Sequence, residues 1–277
     1  MNTVDLTYAT LIKTILEEGD EIRTRNSNVR RIIGEKVVFN HAPLISVRKT
    51  AWKNALREWE WFMSGQSDIR SLHPSVHSWW LPWADENQVV KNNYSEQFRC
   101  FVGGIHNHET DSIEMITLDQ IEALIDGIKN HPSSRRNVIT TWNTAEMFHT
   151  QTPITNCHGT VIQAFVDPQN RLHLTTYQRS VDVICGLPHN WIQYWAFLLW
   201  LAERGGREVG SLIWIGGDVH VYEAHEILAK KIVMEAANVM KTPSLIYDPT
   251  SDDFKAEDFK LDCDYSPIIT DKAEMIV

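Results

Sequence analysis

Apolar residues recur at helical spacing through the first half of this chain. A strand-like pattern takes over near residue 138, with no Pro/Gly/Ser-rich linker between the two. Tyr8, Leu11, Ile12, Ile15 and Leu16 share a helical face that Gly19 stops. Trp52, Ala55, Leu56, Trp59, Phe62 and Met63 share a stronger one, with Gly65 as terminator. Residues 118–129 read as a further helix, and 138–142 as a strand. Residues 161–166 and 172–177 flank Asp167-Pro168-Gln169-Asn170 and read as a hairpin. A buried helix over 191–203, a strand over 212–215 and a helix over 222–237 follow. Helices and strands mix without βαβ alternation, which gives an α+β class. Residues 66–112 are turn-rich and hold His73, Pro74, Trp79, Trp80, Pro82 and Trp83; a long irregular tract of this kind is usually functional. With no repeat and no linker, residues 1–277 are expected to form one domain.

Composition narrows the function classes. Lys+Arg 26 against Asp+Glu 36 gives a net charge of −10, which makes a poor general binder of nucleic acid or anionic membrane. An anionic ligand would need arginines gathered locally. The cysteines Cys100, Cys157, Cys185 and Cys263 are far apart with no CxxC, against a zinc ribbon or a disulfide framework, and no metal is expected. The N-terminal stretch is acidic and amphipathic, unlike a signal peptide. The most apolar run, 191–202, contains Gln193 and is short of the roughly twenty residues that span a bilayer. These features predict a soluble, cytoplasmic protein (host cytoplasm if viral). Eleven Trp residues suggest a large aromatic core or a planar ligand.

Several short patterns could carry chemistry. Cys157-His158 precedes a strand; a thiol near cations is a strong nucleophile, although an isolated Cys-His pair also suits a buried structural cysteine. In Gln178-Arg179-Ser180, the Arg and Ser side by side offer a guanidinium fork and a hydroxyl suited to phosphate, or simply a polar strand end, and Asp182 could accept from a ligand N–H or cap a turn. In Gly186-Leu187-Pro188-His189-Asn190, Asn190 could cap the next helix or read the edge of an amide-like ring. Arg135-Arg136 could be surface charge. His220 and Tyr222 would lie on one side of an extended segment, as a sugar hydroxyl requires. Glu58 sits on the Trp52 helix, and Glu60 should point elsewhere. Walker, GxGxxG, GxSxG and HExxH patterns are absent.

Taken in order, these pieces resemble the thymidylate synthase family, from Arg23 to Val277. Arg23-Thr24 resembles its Arg-Thr-Gly, with Arg25 in place of the glycine. Pro43-Leu44 with Arg48-Lys49 resembles its Pro-Leu-Leu-Thr-Thr-Lys-Lys segment, and Glu58-Trp59-Glu60-Trp61-Phe62 its Glu-Leu-Leu-Trp-Phe helix. Trp80 and Trp83 fall in Trp-x-x-Trp-Ala-Asp-Glu, while Tyr94 and Gln97 resemble Tyr-Gly-x-Gln-Trp-Arg. Arg135-Arg136, Cys157-His158, Gln178 to Asp182, Gly186 to Asn190, Gly217 to Tyr222 and the Met275-Ile276-Val277 tail complete the set.

The resemblance implies a thymidylate synthase-like mixed sheet covered by helices, and a homodimer packed through its sheets. It implies dUMP and the co-substrate 5,10-methylenetetrahydrofolate as ligands, with neither membrane nor nucleic acid required. Cys157, beside His158, would add to uracil C6. Glu58 would help proton transfers through water, and Tyr94 would orient the water that takes the C5 proton. The phosphate would sit among Arg23, Arg179, Ser180 and the other chain's Arg135 and Arg136. Gln178 and Asp182 would also bind the substrate, Asn190 would read the base, and His220 and Tyr222 would hold the 3′-hydroxyl. Folate would lie against Arg48, Trp80, Trp83, Ile154, Gly186 and Val277. An amide at 190 suits uracil, where the related deoxycytidylate enzymes carry Asp.

The family's exocyclic methylene takes hydride, in thymidylate synthases, or water, in nucleotide hydroxymethylases. Asn93 before Tyr94, Asn156 before Cys157 and His189 before Asn190 are polar where the synthase pattern is not. These departures favour 5-hydroxymethyl-dUMP as product, with His189 holding or polarising the water. Trp80 and the Met-Ile-Val end are synthase-like, so dTMP is the alternative. A catalytically dead binding homologue is the remote one, opposed by the intact Cys157, Glu58, Tyr94 and arginines.

Overall fold

A computed structural model describes residues 3–149 and 156–276. Helix α1 (Thr3–Glu18) buries Tyr8, Ile12 and Ile15. It ends at Gly19, a position only glycine fits, since a Cβ there would meet the Ile15 carbonyl at 2.4 Å. Strands β1 (Asp20–Arg23) and β2 (Asn28–Phe39) form a hairpin, and α2 (Trp52–Met63) follows. The chain leaves α2 through Gly65, whose φ of +76° a side chain would strain. Next come α3 (Pro74–Trp80), α4 (Tyr94–Arg99), the hairpin of β3 (Phe101–Asn107) with β4 (Ser112–Leu118), and α5 (Gln120–Asn130). Then β5 (Val138–Thr140), α6 (Thr144–His149), β6 (Val161–Val166), β7 (Arg171–Asp182) and α7 (Leu187–Gly205) lead to β8 (Glu208–Tyr222). Helix α8 (Glu226–Glu235) and the small pair β9 (Leu245–Tyr247) and β10 (Phe259–Leu261) complete the order.

The main sheet runs β1-β2-β8-β7-β6-β5, with β7 and β8 parallel and the other pairs antiparallel. This mixed sheet under helices is the α+β architecture expected. Its inner face presents Ile162, Ala164, Leu172, Leu174, Leu212 and Trp214 to the core. The Trp191 ring of α7 fills that face, 5.6 Å from Trp214 and 4.8 Å from Phe39. Its outer face leaves Val38, Val161, Phe165 and Tyr177 exposed. Among the described residues no helix is long and apolar enough to cross a membrane.

Some expectations change. The 66–112 tract is not irregular throughout: it holds α3, α4, β3, two single 3-10 turns and the start of β4. The first hairpin, β1–β2, was not expected, because Arg30 and Arg31 disguise a strand; they pair with Glu226 and Asp218. Helix α7 begins at Leu187, so residues 187–190 are its first turn and Asn190 is not a cap. Residues 208–222 form one strand that absorbs the Gly217–Tyr222 motif, and α8 begins only at Glu226.

Candidate active site

Cys157 lies on the segment entering β6, and its carbonyl accepts the Arg179 N–H at 2.8 Å, which docks that segment on β7. Tyr94, the first residue of α4, reaches it from the other side. The Tyr94 hydroxyl oxygen accepts the backbone N–H groups of Cys157 (2.9 Å) and His158 (3.4 Å) and lies 3.4 Å from Cys157 Sγ. Burial and the neighbouring thiol push the Tyr94 hydroxyl up, so it keeps its proton. With its lone pairs facing two backbone amides, that proton is directed toward the sulfur or a water beside it. The arrangement can stabilise a thiolate and orient a water at one point.

Glu58 projects from α2 toward α3 and α7. Its Oε1 accepts the Trp80 indole N–H at 2.6 Å and its Oε2 accepts from the Gln193 amide at 2.8 Å. Burial pushes its pKa up to about 7, against the two hydrogen bonds, which hold it down. A carboxyl with that midpoint can both give and take a proton near neutrality. Glu60 points elsewhere, as expected, accepting the Ala256 N–H at 3.0 Å.

An amide chain joins β8, β7 and α7. The Trp214 indole N–H donates to Gln178 Oε1 (2.9 Å), Gln178 Nε2 to Asn190 Oδ1 (2.7 Å), and Asn190 Nδ2 to Gln193 Oε1 (3.2 Å). Gln193 Nε2 then donates to Glu58 and to the Ala55 carbonyl at 2.9 Å. Trp214 and Gln193 were missed at the sequence level as site residues. The available signal was a lone amide inside an apolar helix, three residues after Asn190.

Of the expected phosphate ligands, Arg179 and Ser180 lie on β7 and Arg23 on β1. The Arg179 guanidinium stands 5.3 Å over the Trp142 ring, with Nε on the Asn156 carbonyl at 3.3 Å. Arg135 and Arg136 are exposed beside β5, at the opposite edge of the sheet from Arg23. Asp182 Oδ1 accepts the Ile184 and Cys185 N–H groups (2.8 and 3.1 Å), which makes it a turn-former. His220 is buried with Nδ1 on Asp218 at 2.7 Å, and the Tyr222 ring lies 5.1 Å from its own.

Four expectations meet a different geometry. The His158 ring is buried 4.3 Å from Tyr94 in a cluster with Trp59 and Phe62, and burial lowers its pKa to about 3. It is a neutral core ring and supplies no cation to Cys157. His189 has both nitrogens engaged by backbone, Nδ1 with the Cys185 carbonyl (2.8 Å) and Nε2 with the Ala51 N–H (3.3 Å). Its pKa is lowered to about 4, first by burial, and neither nitrogen is left for the water assigned to it. Asn93 caps α4, accepting from Ser95 and Glu96 and donating to the Val90 carbonyl. Asn156 donates to the Thr141 carbonyl at 2.8 Å.

Arg48, expected against folate, is 7% exposed and bonds the Ile184 carbonyl, which makes it a buried tie. Trp80 is buried and Trp83 half-buried. Ile154 and Val277 lie outside the described residues. Among the described residues Asp182, Cys185 and His225 bring potential metal-ligand atoms within 4.8 Å of one another. Burial and the Asp182 carboxylate push the Cys185 thiol up, which disfavours the thiolate a metal would need.

A thiol under a tyrosine hydroxyl, a buried carboxyl poised near neutrality and an amide-lined core on this mixed sheet define an α+β enzyme of covalent group transfer. The profile of the thymidylate synthase family matches residues 6–277, and the chain belongs to that family. It is similar to the thymidylate synthase of Buchnera aphidicola subsp. Baizongia pistaciae (strain Bp), 32% identical over 263 residues that cover 91% of this chain and 95% of that protein. It is also similar to that of Corynebacterium aurimucosum, 30% identical over 278 residues covering 99% and 98%. The chain is a one-carbon transferase, and its family chemistry is folate-dependent and acts at C5 of a pyrimidine nucleotide.

Proposed function

We propose that the chain is a thymidylate synthase, converting dUMP to dTMP. The observation that carries methyl over hydroxymethyl formation is the use made of Asn93, Asn156 and His189. Each is held by backbone partners, while the Trp80 indole lies on Glu58. The polarity of Asn93 and His189 is thereby taken up by a helix cap and by backbone groups, and Asn156 spends an N–H on the Thr141 carbonyl, its buried Oδ1 meeting no partner among the described residues. The synthase names of the relatives point the same way.

In this reading the Cys157 thiolate adds to C6 and makes C5 nucleophilic. Bound methylenetetrahydrofolate supplies the one-carbon unit and the hydride. Glu58 moves protons at uracil O4 through water, and the Tyr94 hydroxyl orients the water that removes the C5 proton. Asn190 has one acceptor and one donor position beyond its bonds to Gln178 and Gln193, which match uracil N3–H and O4. Gly186 leaves room for the Asn190 amide: a Cβ there would stand 3.4 Å from Asn190 Oδ1 and 3.3 Å from the Asp182 carbonyl. Trp80, Trp83 and Gly186 would hold the folate, with Ile154 and Val277.

The site is shared between two chains. Five strand spacings separate β1 from β5, roughly 24 Å at about 4.8 Å each, so Arg23 and Arg135-Arg136 of one chain do not meet on one phosphate. The exposed apolar outer face of the sheet supplies the surface for a homodimer that brings them together.

The test is product analysis with dUMP and methylenetetrahydrofolate. A methylated nucleotide with stoichiometric dihydrofolate is expected, and Cys157→Ala should abolish both while retaining dUMP binding. A nucleotide carrying a hydroxymethyl group, with tetrahydrofolate and no dihydrofolate absorbance, would move the chain to the hydroxymethylase branch. Failure to trap fluoro-dUMP covalently would point to an inactive homologue.

A further inference from the structure

Gln193 is fully buried in α7, on the turn after Asn190 and facing α2. Its amide is oriented by its acceptors. The Ala55 carbonyl and the Glu58 carboxylate each receive one of its two N–H groups, at 2.9 and 2.8 Å, so its oxygen must face Asn190. The far end of the chain is oriented as well. An indole nitrogen only donates, so Trp214 obliges Gln178 to present its oxygen there and its NH2 to Asn190. The Asn190 amide is therefore held from both sides with its oxygen toward Gln178 and its nitrogen toward Gln193. A flipped Asn190 would set oxygen against oxygen on one side and N–H against N–H on the other.

We infer that Gln193 is a positioning residue: it locks the Asn190 amide in the orientation that matches a uracil edge and ties it to the Glu58 carboxyl. This inference rests on the dUMP reading above for its selectivity arm and on the geometry alone for its other arm. No charged group contributes to the Glu58 shift; the groups facing the carboxyl that set it are the Trp80 indole from α3 and the Gln193 amide from α7. Removing the Gln193 donor leaves burial less opposed, so the Glu58 midpoint must rise.

Two substitutions separate the two duties. Gln193→Met removes both the acceptor for Asn190 and the donor to Glu58. Gln193→Glu keeps an acceptor for Asn190 but places a second carboxyl beside Glu58. The Glu58 titration is followed in the ligand-free protein by carbon-13 NMR of the labelled carboxyl, and base choice by the dUMP/dCMP ratio of kcat/KM. Both variants should raise the Glu58 midpoint by about one pH unit or more. The dUMP preference should fall about tenfold or more in Gln193→Met, as expected when buried partners go unmatched, and stay near wild type in Gln193→Glu. A purely structural Gln193 would lower kcat in both variants and move neither reading. A folded Gln193→Met with an unmoved Glu58 midpoint overturns the tie to Glu58, and an unmoved base ratio overturns the lock on Asn190. Gln193→Asn, one methylene shorter, repeats both measurements should Gln193→Met not fold. A wild-type protein without activity on dUMP overturns the proposed function, and the ligand-free titration still judges Gln193.

Discussion

Glu58 makes the folded state itself pH-sensitive. Its carboxyl rises from an ordinary 4.5 to about 7 because burial outweighs two donated hydrogen bonds. Between those values the native chain holds a proton that the unfolded chain has released. Stability from this group is therefore fully present below about pH 4.5 and declines as pH climbs toward 7, by about 3 kcal/mol in all. Glu58→Gln cannot titrate, so whatever constant offset it carries, its urea midpoint should gain on that of the wild type between pH 5 and pH 8. Parallel curves over that range would show that the carboxyl is ionised throughout. Activity should fall chiefly in kcat, since the group moves protons and does not hold the nucleotide.

At the scale of elements, the short helix α4 decides where the tyrosine hydroxyl lands. Six residues do not sustain a helix by propensity, and the Asn93 side chain holds its first turn through two backbone N–H groups. Asn93→Ala should cost about 1–2 kcal/mol and reduce turnover through a displaced Tyr94, with the nucleotide product unchanged in mass spectra. A switch in product from that single change would return Asn93 to the water-handling role its polarity suggested. Much of the site was legible beforehand because its residues fall in contiguous motifs: Cys157 before β6, Gln178 to Asp182 within β7, and Glu58 on a helix whose apolar period and Gly65 stop are plain. The partners of polar side chains were not legible. His189 and Asn93 look alike as polar departures, yet one bridges a turn to α2 and the other caps α4, and only the fold assigns those acceptors. Gln193 hid for the opposite reason: its neighbours are apolar, and its meaning depends on α2 lying across from it.

For the whole molecule, the arginines at opposite edges of the sheet predict a site completed by a second chain. Inactive Cys157→Ala subunits mixed with inactive Arg136→Ala subunits should regain about a quarter of wild-type sites: half the dimers are mixed, and each mixed dimer of a twofold assembly has one intact site of two. No recovery after verified exchange, with each parent inactive alone, would place Arg136 in its own chain's site. The same arrangement has a consequence in inheritance. Damaging lesions in this one gene would sort into two classes, those that spoil the chain's own pocket and those that spoil a neighbour's. Under the shared-site proposal, a cell carrying one of each would regain activity that neither alone has, so a cross between mutants would sort residues by the chain whose pocket they serve.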